Sequence, residues 1–90
     1  MSAEVRQAFG NRVRSLRRER DISLRKFADT IGMDKSYLSS IELGRKSPTL
    51  DTIERIAGGL DVTMSFLLFE VETRRTACSY DGTSGGAKRP

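Results

Sequence analysis

The side chains that could do chemistry in this sequence are mainly cations and hydroxyls, which donate hydrogen bonds. Residues 1–32 carry eight Lys or Arg side chains against four Asp or Glu, a local net charge of +4, whereas residues 33–90 balance to zero. A basic segment of this kind indicates an anionic partner such as nucleic acid. A solvated, arginine-rich helix face accounts for the same charges equally well, so charge alone does not choose between the two.

Groups for catalysis and metal binding are scarce. The 90 residues contain no histidine, which removes imidazole bases, Ser-His-Asp triads and His-containing zinc sites. The single cysteine, Cys78, has no partner for an internal disulfide or a Cys-based metal cluster, and it fits a reducing compartment. No phosphate-binding glycine loop or nucleophile–base pair stands out. We therefore expect no enzymatic activity, no cofactor and no metal.

The apolar segments are too short for a membrane protein. The longest, residues 64–69 with a serine inside it, is far from the ~20 residues that a membrane helix needs. The N-terminus lacks the uninterrupted apolar core of a secretory signal. These patterns predict a cytoplasmic protein with no membrane partner.

Hydrophobic spacing predicts short helices throughout residues 1–71 and no strand. Apolar residues recur at intervals of three and four, bounded by capping residues and glycines, which places helices at about 3–20, 24–31, 35–43, 50–60 and 64–69. The predicted N-caps of the last four helices are Ser23, Asp34, Thr49 and Thr63. The glycines at 58–59 predict a helix end that frays or packs closely on a neighbour. Residues 72–90, rich in Gly, Ser and Thr, are predicted to be a disordered, flexible tail beyond a single domain.

The second and third helices are the most informative about function. Two short helices joined by a three- or four-residue turn, the second with a small polar outer face, describe a helix-turn-helix. Ala28 is small where the helices would cross, Gly32 permits the turn, and Leu38 and Ile41 would fix the third helix in the core. Any helical hairpin needs such residues somewhere, but this combination in a basic five-helix chain favours DNA binding.

Residues 12–68 resemble the lambda-repressor-like helix-turn-helix family, also called the Cro/repressor or xenobiotic-response-element type. ISLRKFADTIGM is similar to the family's second helix and turn, and YLSSIELGRKSPTLDTI to its recognition helix and exit. The resemblance implies an all-α, compact five-helix DNA-binding domain. The sequence departs from the family at Leu24, where a glutamine that touches backbone phosphate is frequent.

The function implied by the resemblance is that of a transcriptional regulator. We expect sequence-specific binding to double-stranded DNA by a dimeric repressor that acts on a palindromic operator. A restriction–modification controller protein is the nearest alternative. An antitoxin-type module with autoregulatory DNA binding, whose C-terminal tail binds a protein partner, is the alternative from another class.

The resemblance also assigns roles to individual residues. An α-helix in the major groove presents its N-terminal residues to base edges. The expected base contacts are Lys35, Ser36, Tyr37, Ser39 and Ser40, and the expected phosphate contacts are Ser23, Arg25, Arg45 and Lys46. Solvent exposure is the alternative for the serines, and a position at the core edge for Tyr37. Arg12 and Arg14 face either DNA or solvent.

Two further expectations concern structure rather than DNA contact. Family resemblance pairs Arg17 with Glu42, so that the first helix braces the third. The fifth helix carries more apolar side chains than its inward side can bury. In the family, the position of Phe66 is commonly polar. Surplus apolar surface of this kind usually marks an interface. The alternative is that the C-terminal tail of the chain itself covers Phe66 and Phe69. The predicted homodimer contacts are Met64, Phe66, Leu67 and Phe69.

Overall fold

In the computed structural model, which describes residues 1–72, the chain forms five helices. They are α1 (Ala3–Glu19), α2 (Leu24–Thr30), α3 (Lys35–Glu42), α4 (Leu50–Leu60) and α5 (Met64–Leu67). Residues 1–72 contain no strand. The all-α, five-helix fold class is confirmed. Cys78 and the predicted tail, except Glu72, lie outside the described residues, so the domain boundary at residue 71 and the tail's protein partner stay predictions.

Each helix begins at a side-chain cap. The side-chain oxygen of the N-cap residue accepts a hydrogen bond of 3.0–3.1 Å from the backbone N–H three residues later. This satisfies one of the amides that the first turn of a helix leaves without a partner. The caps are Ser2, Ser23, Asp34, Thr49 and Thr63. The four predicted caps are confirmed.

Most helices end earlier than the hydrophobic pattern predicted. α1, α2 and α3 stop one residue short of the predicted end, and α5 ends at Leu67 instead of Phe69. The reason is local backbone geometry, because a left-handed residue soon after the helix turns the chain away. These residues are Asp21, Gly32, Gly44 and Glu70, with φ between 58° and 76°. An apolar residue beyond the last helical turn can still reach the core, so periodicity overestimates helix length.

The helices enclose one hydrophobic core. α1 packs against α3 and α4, α2 packs against α3, and α5 packs against α4. The largest fully buried side chains are Phe9, Val13, Phe27, Leu38, Ile41, Ile56, Leu60 and Leu67. The helix-turn-helix formed by α2 and α3 is therefore held from behind by α1.

Two glycines permit close contacts between elements. A Cβ at Gly10 would lie 2.7 Å from the carbonyl carbon of Glu42, so α1 can approach the C-terminal end of α3 only because Gly10 has no side chain. A Cβ at Gly59 would meet the side chains of Phe27 and Ile31. The sequence predicted that the end of α4 at Gly58 and Gly59 either frays or packs closely on a neighbour. The structure shows close packing, at Gly59.

None of the helices within residues 1–72 is long and apolar enough to cross a bilayer. The same residues bring together no group of three or more acidic, Cys or His side chains that could hold a metal ion.

Candidate nucleic-acid interface

The outer side of α3 is polar and its inner side is apolar. Leu38 and Ile41 are buried in the core, whereas Lys35 and Ser36 in the first turn are exposed. Lys35, Ser36, Ser39, Ser40 and Arg45 line one concavity of about 260 Å³, together with Leu24 and Leu43. The structure thus brings together four of the five predicted base-contacting residues.

Hydrogen bonding leaves most of this surface available to a ligand. Ser40 donates to the backbone carbonyl of Ser36 at 3.0 Å. Within residues 1–72, the side chains of Lys35, Ser36 and Ser39 have no hydrogen-bond partner. Lys35 offers three ammonium donors, and each serine hydroxyl can donate or accept, so the surface can pair with groups of either kind.

Tyr37 is placed differently from the other predicted base contacts. It is half-buried, packs against the core and is absent from the lining of the concavity. The structure therefore places Tyr37 at the core edge, the alternative that its sequence position left open. Its backbone N–H donates to the cap residue Asp34, which fixes the first turn of α3.

The predicted phosphate-contacting residues flank α3 on two segments. Arg45 and Lys46 follow α3 and are exposed. The backbone N–H of Arg45 donates to the carbonyl of Ser40 at 2.9 Å, which holds this loop close to the helix. On the α2 side, the exposed Ser23 and Arg25 share a surface with Lys26.

Lys26 and Leu24 are two surface residues that the sequence-based assignment of contacts did not include. Lys26 follows Arg25 directly and lines the same surface. Consecutive residues of a helix do not face each other, so helical spacing gave no signal for this position. Leu24 belongs to the apolar side of α2 by periodicity, and in the structure it also lines the concavity beside α3. The glutamine that the family frequently has at this position was a signal that the side chain faces DNA.

Arg17 and Glu42 form a buried ion pair between α1 and α3. Arg17 Nε donates to Glu42 Oε2 at 2.8 Å, and an Arg17 terminal nitrogen donates to Oε1 at 3.0 Å. The other terminal nitrogen of Arg17 donates to the carbonyl of Ile22 at 2.8 Å. Arg17 is 9% exposed and Glu42 is 3% exposed. The pair therefore ties α1 both to α3 and to the turn before α2.

Arg14 and Arg12 are both engaged within the protein. Arg14 Nε lies 3.7 Å from Glu42 Oε1, so Arg14 adds a second cation to the ion pair. Arg12 donates to the carbonyl of Phe66 at 2.7 Å, and its guanidinium lies 4.7 Å from the centroid of the Phe66 ring. Arg12 Nε is buried without a hydrogen-bond partner in the described part of the chain. Arg12 thus packs against α5, away from the polar side of α3.

The residues predicted to form a dimer interface divide into exposed and buried ones. Phe66 is 47% exposed and Phe69 is 59% exposed, whereas Leu67 is 0% exposed. Met64 is half-buried and packs against the core. The assignment of Leu67 is corrected here, because α5 is a single turn that points this side chain into its own protomer. Phe66, Phe69 and the accessible part of Met64 remain available to a partner.

Comparison with known proteins agrees with the fold. The family model described as "Helix-turn-helix" matches residues 13–67. The chain belongs to the lambda-repressor-like helix-turn-helix family of transcriptional regulators.

Three relatives illustrate the range of this family. Control protein C.MunI from Mycoplasma sp is 39% identical over 70 residues, which are 77% of this chain and 95% of that protein. The immunity repressor protein of Bacillus phage phi105 is 34% identical over 61 residues, 68% of this chain but 42% of that protein. The crystal structure of SinR, a master regulator for biofilm formation, in complex with DNA has a TM-score of 0.64 and 38% identity, covering 67% of this chain and 97% of that one.

Proposed function

We propose that this protein is a sequence-specific DNA-binding repressor that acts as a homodimer on a palindromic operator. The observation that carries the proposal is the two-sided character of α3. Its inner side chains are fixed in the core, while Lys35, Ser36 and Ser39 line a concavity with Arg45 and have no hydrogen-bond partner within residues 1–72. The major groove of DNA admits a single α-helix of this kind. The similar SinR chain was crystallised with DNA, which supports the same role here.

The proposed contacts to DNA are of two kinds: hydrogen bonds to base edges and contacts to the phosphates of the DNA backbone. Lys35 is assigned to a guanine, whose O6 and N7 accept hydrogen bonds in the major groove. The serines Ser36, Ser39 and Ser40 are assigned to further base edges, directly or through water. The cations outside α3, Arg25, Arg45 and Lys46, and the hydroxyl of Ser23 are assigned to phosphates, which set register but carry no sequence information. Tyr37, which packs at the edge of the core, is not assigned a base contact.

The dimer is assigned to the side of the domain that carries α5. Phe66 and Phe69 are the exposed aromatic side chains there, with Met64 beside them. A two-fold axis through this surface would present two copies of α3, matching half-sites about one DNA turn, ~34 Å, apart. The proposal involves no catalysis, cofactor or membrane, and it places the protein in the cytoplasm.

A restriction–modification controller is the second candidate function. The similarity to control protein C.MunI extends over 95% of that protein, whereas the phage repressor is matched over 42% of its length. The two functions differ in the genes that are regulated. A restriction endonuclease or methyltransferase gene next to the protected operator would favour the controller.

The proposed function is tested by footprinting the purified protein on the DNA upstream of its own gene. We expect protection of two half-sites related by a two-fold axis. If roughly four to six phosphates are neutralised per dimer, the logarithm of the binding constant falls against the logarithm of salt concentration with a slope of about −4 to −5. Failure to protect that DNA, together with failure to enrich any sequence from a random duplex library, would overturn the proposal.

A further inference from the structure

We infer that Leu24 contacts the C5-methyl group of a pyrimidine in the major groove, so that the protein reads one base through an apolar contact. The inference rests on the proposed function and adds a specificity-determining residue to it. Both thymine and 5-methylcytosine carry a methyl group at this position, and the experiment below distinguishes them.

The geometry places Leu24 in the concavity that the polar side of α3 lines, although Leu24 belongs to α2. It is the first residue of that helix, directly after the cap Ser23. The side chain is half-buried, whereas Phe27 and Ala28 on the same helix are at most 1% exposed. The accessible part of Leu24 lines the same concavity as Lys35, Ser36 and Ser39. An apolar side chain is thus placed among hydrogen-bond donors.

The charges around the concavity identify the occupant. Lys35 and Arg45 line it, and no acidic side chain of residues 1–72 does so. Two cations at its rim favour a polyanion over an apolar peptide segment. DNA offers apolar atoms in the major groove only at the C5-methyl group of a pyrimidine, next to base-edge acceptors and donors. Leu24 can contact such a methyl group, while the polar residues around it pair with the neighbouring base-edge acceptors and donors.

A second leucine in the concavity provides a matched control. Leu43 is 40% exposed and lines the same surface, but it is the C-cap of α3. The N-terminal part of a recognition helix is the part that approaches base edges. Leu24, beside Lys35, is therefore the leucine assigned to the methyl group.

The experiment uses a duplex enriched by the full-length protein from a random library. Each thymine of a half-site is replaced in turn by deoxyuridine, which removes only the methyl group, and each cytosine by 5-methylcytosine. Binding constants are measured for the wild type, Leu24→Ala, Leu24→Met and Leu43→Ala. Thermal melting of each variant verifies folding, because part of Leu24 packs on the core.

We expect one position per half-site at which removing a methyl group weakens wild-type binding about fourfold, the effect of one buried methyl-sized group. Leu24→Ala should reduce this ratio to near one, while Leu24→Met and Leu43→Ala retain it. An increase in affinity on methylation of a cytosine, with no effect at any thymine, supports the inference if Leu24→Ala abolishes it. The methyl group contacted is then that of 5-methylcytosine. Tight DNA binding with no methyl effect, or an effect that Leu24→Ala leaves unchanged, overturns the inference but not the proposed function. Absence of binding to any duplex overturns both.

Discussion

The carboxylate of Glu42 accepts hydrogen bonds from both the Nε and one terminal nitrogen of Arg17, at 2.8 and 3.0 Å. The fork of the guanidinium matches the two carboxylate oxygens, which makes this ion pair directional. Both partners are buried, so removing Glu42 leaves the Arg17 guanidinium buried without its counterion, whereas removing Arg17 leaves Glu42 with only the more distant Arg14, at 3.7 Å. The orientation of α3 relative to α1 therefore depends on both residues.

Replacement of Glu42 by Ala should destabilise the fold. We expect a loss of roughly 1–3 kcal/mol in the free energy of unfolding, because Arg17 keeps its charge but loses its partner. The measurement is urea denaturation followed by circular dichroism. Glu54→Ala, which removes an exposed glutamate from α4, is the matched control and should change stability by less than about 0.5 kcal/mol.

A double-mutant cycle between Arg17 and Glu42 separates the pair from the effects of each single change. A coupling energy near zero would contradict the brace. It would also leave Arg17 as a further cation to consider in DNA binding.

Gly10→Ala should destabilise the protein although alanine is the better helix former. The new Cβ would overlap the backbone carbonyls at the end of α3, and we expect a net loss of roughly 1–3 kcal/mol. Gly58 is the matched control, since it lies in α4 and a Cβ there has nothing within 4 Å. Gly58→Ala should stabilise the protein by about 0.5–1 kcal/mol. Equal effects of the two changes in thermal melting would refute the close contact.

Lys46→Ala and Lys35→Ala should weaken DNA binding in different ways. A phosphate contact acts on all sequences alike, so Lys46→Ala, which removes one contact from each protomer, should reduce the steepness of the salt dependence of the dimer by about two units. Lys35→Ala should relax preference at a single base pair by roughly 1–3 kcal/mol. Gel shifts on operator variants at several salt concentrations measure both effects. Arg55→Ala, an exposed cation on α4, is the control, and an identical response of all three variants would show that the docking surface is misassigned.

Phe66→Glu should yield a helical monomer. The Phe66 ring is 47% exposed, and the introduced carboxylate would lose its water inside a two-fold interface, whereas in the monomer it stays solvated beside Arg12. We expect half the mass by light scattering and operator binding weaker by roughly 100-fold, because the two recognition helices are no longer linked. Leu50→Glu removes another exposed apolar side chain, outside this surface, and should leave the mass unchanged. A Phe66→Glu protein of unchanged mass and affinity would exclude this interface.

Features encoded by neighbouring residues were predictable from the sequence, and features that join distant elements were less so. The caps Ser23 and Asp34 depend on a hydrogen bond to an amide three residues later, so a local pattern suffices. Arg12 and Phe66 are 54 positions apart, and helical periodicity does not predict that they meet. Leu67 was misassigned for a related reason, since an apolar run within a one-turn helix does not indicate which member points inward. Arg17 and Glu42 could be paired only by family resemblance.

Under the proposed function, the two sides of α3 separate DNA recognition from the stability of the fold. Leu38, Ile41 and Glu42 anchor the helix, while Lys35, Ser36 and Ser39 contribute little to the packing of the core. Substitutions at those three outer positions can therefore accumulate without unfolding the protein. Under the proposed function, the operator preference of this domain can be reprogrammed by exchanging the outer residues alone, on an unchanged scaffold.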